Sequence, residues 1–254
     1  MPASGLRHGR DQGGSDRVIS GISPDLPHTA HLPATKELGL RITKPVAALL
    51  IRTYWRVTLH GEENVPATGP AILASNHIGF LDGPVLVALT RRLTFAMAKH
   101  ELFTGALGQF LAHVGQISLN RRAVDTKAIT RAIQVLRAGD VLAVFPEGSR
   151  TTGEVSRASG GAAYLGMVTG APIVPVALLG TREPGHTRGQ VPRRRRPIHV
   201  VYGEPLAVPR SNWPRRKAAV AHWTEVLRSH LAAHVVAAQR LTGLPLPGPA
   251  RQAV

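Results

Sequence analysis

The chain has 254 residues, a formal net charge of +16 and no cysteine. That length can bury the core of one α/β domain, and the charge calls for an anionic partner. The missing thiols exclude disulfides, thiolate metal sites and an acyl-cysteine intermediate.

Residues 1–35 are rich in Gly, Ser, Pro, Asp and His and lack an apolar h-region, which predicts a disordered tail rather than a signal peptide. Residues 36–242 are expected to form the folded domain, and residues 243–254 a loose tail. Leu40 to Val57 reads as an interfacial helix. Ile42, Val46, Leu49, Leu50 and Val57 fall near one face, Arg41, Lys44, Arg52 and Arg56 line much of the rest, and Pro45 starts or bends it. An ordinary amphipathic helix packed on the domain is an equal and compatible reading. The apolar run Pro45 to Ile51 is far short of the about 20 residues that a bilayer span needs.

Pro70 to Ser75 is predicted as a short buried strand that empties into Asn76-His77-Ile78-Gly79-Phe80-Leu81-Asp82. Asp82-Gly83-Pro84 has the signature of a helix start, with Asp82 as N-cap. On a regular helix, five residues would leave His77 and Asp82 about 140° apart. The turn allowed by Gly79 instead puts His77 in a loop with Asp82 turning back towards it. Such a pair suits base catalysis. Histidine takes a proton near neutral pH, and a carboxylate on its other ring nitrogen fixes the tautomer. The alternative is an ordinary loop histidine beside a capping aspartate.

Further strands are expected at Thr94–Ala98, Gln116–Leu119, Asp140–Phe145, Pro172–Leu179 and Ile198–Tyr202. Asp125 should cap a helix running to Arg137, with Gly139 as its stop. Ser159–Thr169 reads as a small-residue helix and Pro214 to Leu241 as a long one. This alternation predicts a single α/β domain with a central mixed, largely parallel sheet flanked by helices, plus the N-terminal amphipathic helix.

After the third of these strands comes Phe145-Pro146-Glu147-Gly148-Ser149-Arg150-Thr151. Pro146-Glu147-Gly148 makes a turn. Ser149, Arg150 and Thr151 offer a guanidinium fork and two hydroxyls to a cluster of phosphate oxygens. The plain alternative is a polar surface turn. Ligands of open α/β sheets bind beyond the carboxyl ends of the strands, so parallel neighbours would present both motifs at one edge.

Asn76-His77-x4-Asp82, Gly115-Gln116-Ile117-Ser118-Leu119-Asn120-Arg121, Phe145 to Thr151 and Ile173-Val174-Pro175-Val176 together resemble the four ordered blocks of the glycerolipid acyltransferases. The branch most similar is the 1-acyl-glycerol-3-phosphate acyltransferases. Lys99-His100-Glu101-Leu102 also resembles a family feature, and the resemblance spans about residues 52–205.

The resemblance implies His77 as general base with Asp82 as its partner. It implies Arg121, Glu147, Gly148, Ser149, Arg150 and Thr151 around the acceptor's phosphate and glycerol end. Asn76, Lys99, Val174, Pro175 and Val176 would belong to an acceptor or acyl surface. Glu147 would orient Arg150 or a backbone N–H, because a carboxylate repels phosphate. The implied partners are acyl-CoA or acyl carrier protein as donor and lysophosphatidate, or a related lysolipid or glycolipid, as acceptor, with no metal or cofactor. Two positions depart from the family pattern. Gly79 stands where many relatives carry serine or another small polar residue, and Ala158 to Ala163 offers no lysine before the Gly-Ala pair.

Residues 186–217 hold nine Arg or Lys against one acidic residue, Glu204. Arg193-Arg194-Arg195-Arg196, between Pro192 and Pro197, reads as an exposed loop that binds an anionic membrane surface, where each basic side chain contributes roughly 1 kcal/mol. Those features place the protein, as an expectation, at the cytoplasmic face of a membrane, peripheral or monotopic. A solvated charge run and a nucleic-acid site are the rivals. The 4% aromatic content and the lack of a recognised nucleic-acid module speak against nucleic acid as a partner.

Overall fold

Ala71–Ser75, Val141–Val144 and Ile173–Leu179 are buried at every position, as strands covered on both faces must be. They lie at the centre of a seven-stranded sheet in the computed structural model, which describes residues 27–33, 35, 37–121 and 124–251. In chain order the elements are α1 (Glu37–Tyr54), β1 (Arg56–His60), β2 (Ala71–Ser75), α2 (Asp82–Leu89), β3 (Thr94–Lys99), α3 (Gly105–His113), β4 (Ile117–Leu119), α4 (Thr126–Arg137), β5 (Val141–Val144), α5 (Gly161–Thr169), β6 (Ile173–Leu179), β7 (Pro197–Tyr202) and α6 (Lys217–Thr242).

The strand order is β1-β7-β6-β2-β5-β3-β4. Strands β2 to β6 run parallel to one another, β7 is antiparallel to β6, and β1 is parallel to β7. This is the mixed, largely parallel sheet of the sequence reading. Leu179 at the end of β6 faces His199 near the start of β7. The carboxyl ends of five strands and the amino ends of β7 and β1 therefore share one edge.

Helices cover both faces. Ala47, Ala48 and Ile51 of α1 and Val85, Leu86 and Leu89 of α2 pack on Leu73, Ala143, Val174 and Val200. Opposite them, α4 and α5 bury Ala132, Ile133, Leu136, Leu165 and Val168 against Ile72, Phe95, Leu142 and Ile173. Leu231, Val235 and Ala238 of α6 close over Ala177, Leu179 and Val201. Burial of this kind contributes about 25 cal/mol per Å² of apolar surface.

Most predicted elements fall within a residue or two of their expected places, and α4 is capped by Asp125, whose carboxylate accepts the Ala128 N–H at 3.0 Å. Two elements were not anticipated, β1 and α3. Val57, read as part of the first helix, lies in β1 and packs into the core. Its alternation with Thr58 and Leu59 is the strand signal that the helical reading absorbed. The first helix begins at Glu37, so Pro45 lies within it rather than at its start.

The helix displays two apolar faces. Leu40 and Ile51 are buried, whereas Leu38, Ile42, Val46, Leu49 and Leu50 are exposed. Lys44, placed on the polar side by the sequence, turns inward and donates to the Thr90 and Arg92 carbonyls. Burial lowers its pKa to about 8. Among the described residues no helix is long and apolar enough to cross a membrane.

Of the stretch expected to be disordered, residues 1–26 and 34 lie outside the described residues. Residues 27–33 rest along α4. Arg137 Nη1 donates to the Pro27 carbonyl at 2.8 Å, and Gln134 Nε2 to the Pro33 carbonyl at 3.0 Å. Past α6, the segment expected to be loose runs back over the sheet edge. Leu244 and Leu246 pack with α6, and Gln239 Oε1 accepts the Leu246 N–H at 3.0 Å.

The β2–β6 ladder ends at Ser75 and Val176, and the Asn76 side chain extends it. Its Oδ1 accepts the Leu178 N–H at 2.7 Å and its Nδ2 donates to the Leu178 carbonyl at 3.1 Å, both buried. Asn76→Ala strands two buried backbone groups at about 1–3 kcal/mol each. Urea unfolding should show a loss of roughly 2–4 kcal/mol.

Candidate active site

The loop from β2 to α2 turns back on itself around one carboxylate. Asp82 is the first residue of α2 and is fully buried, and Leu81 rather than Asp82 holds the N-cap position. The expected cap is corrected accordingly. Asp82 Oδ2 accepts His77 Nδ1 at 2.7 Å, the Ile78 N–H at 2.6 Å and the Gly79 N–H at 2.9 Å. Oδ1 accepts the Thr181 hydroxyl. The carboxylate thus organises the loop before the helix instead of the helix's own first turn.

With Nδ1–H committed to Asp82, the lone pair of His77 lies on Nε2, the arrangement of a general base held in one tautomer. The His77 side chain is 20% exposed, so the ring is open to solvent on one side. Phe145 stacks on the imidazole with centroids 4.3 Å apart and planes at 25°.

The second loop, at the end of β5, is tied to the first through Glu147. Its Oε1 accepts the His77 N–H at 2.8 Å and its Oε2 accepts the Thr151 hydroxyl. The Thr151 N–H in turn donates to the His77 carbonyl at 2.7 Å. Burial pushes the Glu147 carboxyl above its ordinary range, opposed by the hydrogen bonds from Thr151 and His77. The backbone N–H that Glu147 orients is that of His77, so this carboxylate couples the loops. Gly148 sits at φ 69°, a left-handed turn that suits glycine.

Beside this pair lies a group of cations. Arg121 Nη1 donates to the Gly148 carbonyl, and Arg150 Nη1 to the Arg188 carbonyl at 2.5 Å. Lys99 is held below the ordinary lysine value by burial and then by the charges of Arg121, Arg150 and Arg188, with Glu101 opposing. Arg150 is lowered by burial, while Asp82 pulls it back up. Ser149 Oγ accepts Arg157 Nη2 at 3.3 Å. Arg121, Arg150 and Arg188 all lie within Coulomb range of Lys99, a concentration of positive charge whose chemistry suits a multiply charged anion.

Val174, Pro175 and Val176 are buried inside β6, short of the edge. The residues of that segment that reach the His77 loop are Thr181 and Arg182. Sequence reasoning missed both, together with Phe145 and Arg188. The signal for Thr181 and Arg182 was the one that found the two motifs, a buried strand running straight into glycine and polar residues.

Arg193 to Arg196 lie at this same edge, bound to the end of α1. The Arg195 N–H donates to the Tyr54 carbonyl at 2.7 Å, the Arg56 N–H to the Arg196 carbonyl at 3.1 Å, and Trp55 Nε1 to the Pro192 carbonyl at 3.1 Å. Arg193, Arg194 and Arg195 are exposed; Glu183 Oε1 accepts the Arg193 N–H at 2.7 Å.

Residues 56–179 match the family model described as Acyltransferase. The chain is 29% identical over 152 residues to a 1-acyl-sn-glycerol-3-phosphate acyltransferase of Bacillus subtilis (strain 168), covering 59% of this chain and 73% of that protein. It is 33% identical over 133 residues to the protein of that name from Borreliella burgdorferi, covering 50% of this chain and 53% of the relative. In fold it is similar to the crystal structure of the 1-acyl-sn-glycerophosphate (LPA) acyltransferase PlsC from Thermotoga maritima, with a TM-score of 0.55, 21% identity and coverage of 78% and 80% of the two chains. The matched segment holds both motifs and strands β1 to β6 and ends before β7 and α6, and over it the chain is similar to the acyltransferase family.

Proposed function

We propose that the protein transfers a fatty acyl group from acyl-CoA or acyl carrier protein to the free hydroxyl of 1-acyl-glycerol-3-phosphate, giving phosphatidate. The observation that carries this reading is the meeting, at one sheet edge, of the 2.7 Å His77–Asp82 hydrogen bond and the Arg121–Arg150 cation group. The names of the similar proteins point to the same acceptor.

The steps follow from the groups available. The acceptor's phosphate binds Arg121 and Arg150, with Lys99 adding charge. His77 Nε2 takes the proton of the glycerol hydroxyl as its oxygen attacks the thioester carbonyl, and Asp82 stabilises the imidazolium that forms. Collapse of the tetrahedral intermediate expels the thiolate, which takes up the proton from His77. General-base catalysis of this kind contributes about 10²–10⁴-fold. Glu147 and Thr151 keep the two loops in register and stay off the phosphate.

The reaction is proposed to run at an anionic membrane surface on the cytoplasmic side, with the protein peripheral or monotopic. Exposed Ile42, Val46, Leu49 and Leu50 of α1 would enter the interface, and the basic loop that is hydrogen-bonded to the end of α1 would meet the headgroups. The end of α1 and the basic loop are joined at the sheet edge that also carries His77.

Thiol release from a panel of acyl donors in detergent micelles tests the reaction. Acceptor-dependent release with phosphatidate as product is expected, and His77→Ala should lower kcat by at least about 10³-fold with unchanged circular dichroism. Turnover with another lysolipid and none with lysophosphatidate would keep the chemistry and change the acceptor. Arg121→Ala and Arg150→Ala should each raise the acceptor KM about tenfold or more, the value of one charge-assisted hydrogen bond, with a smaller loss in kcat. Replacing Arg193 to Arg196 by Gln should weaken flotation with phosphatidylglycerol vesicles by about a hundredfold or more at low salt, while turnover in neutral micelles persists.

A further inference from the structure

Thr181 and Arg182 follow β6 and lie outside both motifs, yet they are among the most deeply buried polar residues of the protein, at 0% and 2% exposure. The Thr181 hydroxyl donates to Asp82 Oδ1, the carboxylate oxygen that His77 does not use. Arg182 fixes the path of the backbone around it. Its Nε donates to the Ile78 carbonyl at 2.7 Å, Nη1 to the His186 carbonyl at 3.3 Å, and Nη2 to the Thr151 carbonyl at 3.2 Å and the Gly248 carbonyl at 2.7 Å.

Gly79 is where this segment touches the first motif. A Cβ there would stand 2.7 Å from the Thr181 carbonyl oxygen and 3.2 Å from the Arg182 Cβ. A side chain at this position would push the β6 end away from Asp82. The absence of a side chain at Gly79 and the presence of a hydroxyl at Thr181 are therefore two halves of one contact.

We propose that Thr181 is a positioning residue for the His77–Asp82 pair, admitted by Gly79 and anchored by Arg182. This rests on the His77 mechanism proposed above and deepens it. Three donors converge on Oδ2, and none of them restrains Oδ1. A carboxylate held through one oxygen pivots about its Cβ–Cγ bond. The Thr181 hydroxyl holds the second oxygen, which fixes the carboxylate plane and keeps Oδ2 aimed at Nδ1. The imidazole, clamped between that oxygen and the Phe145 ring, then presents Nε2 in one direction. Catalysis depends steeply on such placement, because small misplacements of a reacting group cost large factors in rate.

The test compares wild type with Thr181→Val, which keeps shape and removes the donor, and Thr181→Ser, which restores it. For Thr181→Val we expect kcat to fall about tenfold to a hundredfold with the lysophosphatidate KM within about twofold, and Ser to recover most of the loss. The downfield proton resonance of the hydrogen-bonded His77 Nδ1–H, assigned by its loss in His77→Ala, should shift in the Val variant and return in the Ser variant. Gly79→Ala, which displaces the Thr181 carbonyl and leaves the hydroxyl in the chain, should reproduce the kcat loss if Thr181→Val fails to fold. Wild-type kcat and an unmoved resonance in folded Thr181→Val would overturn the proposal, as would a loss that Ser does not rescue. If wild type turns over no lysolipid while the resonance responds to Thr181→Val, the acceptor assignment fails and the positioning role stands.

Discussion

A fully buried carboxylate with four hydrogen-bond donors is the constraint on which the rest of the site depends. Removing Asp82 from water costs several kcal/mol, and only donors placed around both oxygens offset it. Those donors come from the loop before α2, from His77 within it and from the end of β6. Meeting that requirement dictates the turn at Gly79, the place where α2 begins and the closeness of two loops that neighbouring parallel strands deliver to one edge. The orientation of His77 is then a by-product of satisfying a buried charge.

The reversal of the chain between β6 and β7 has a second effect. Had β7 continued the parallel pattern, its basic approach segment would lie at the amino edge of the sheet, away from the histidine. Because β7 is antiparallel to β6, Arg193 to Arg196 enter beside the carboxyl ends of the other strands. The same edge holds Lys99, Arg121, Arg150 and Arg188, so the basic loop adds to the positive charge already beside His77. Glu147, on the same loop as Arg150, spends both oxygens on the His77 N–H and the Thr151 hydroxyl rather than on a guanidinium group.

Much of this was legible from residue order. The buried strands were marked by unbroken apolar runs, and the two motifs by the polar residues that end them. The His77–Asp82 contact followed from five-residue spacing interrupted by glycine. What escaped had specific causes. Thr181 ends a buried apolar run as the two motifs do, but its contact with Asp82, 99 residues away in sequence, depends on the strand order that sets β6 beside β2. α1 has apolar residues on two faces, so its periodicity could not say that Leu40 and Ile51 face the core while Ile42 and Leu49 face out. Lys44 looked like a solvated charge, and its use on the carbonyls that follow α2 depends on where that helix ends. Val174 to Val176 belong to a recognisable block, yet their burial is that of a central strand.

The bond from Arg182 to the Gly248 carbonyl sets when the site exists as well as how it is shaped. The carbonyls around Arg182 are drawn from Ile78, Thr151, His186 and Gly248, so that ring of contacts closes only once Gly248 has been made. During synthesis, at about 5–20 residues per second, the sheet strands up to β6 emerge well before the segment that Arg182 needs. A nascent chain therefore carries its motifs for several seconds, as loops without their final partner. The ring around Arg182 therefore closes late, after the strands it braces have been made.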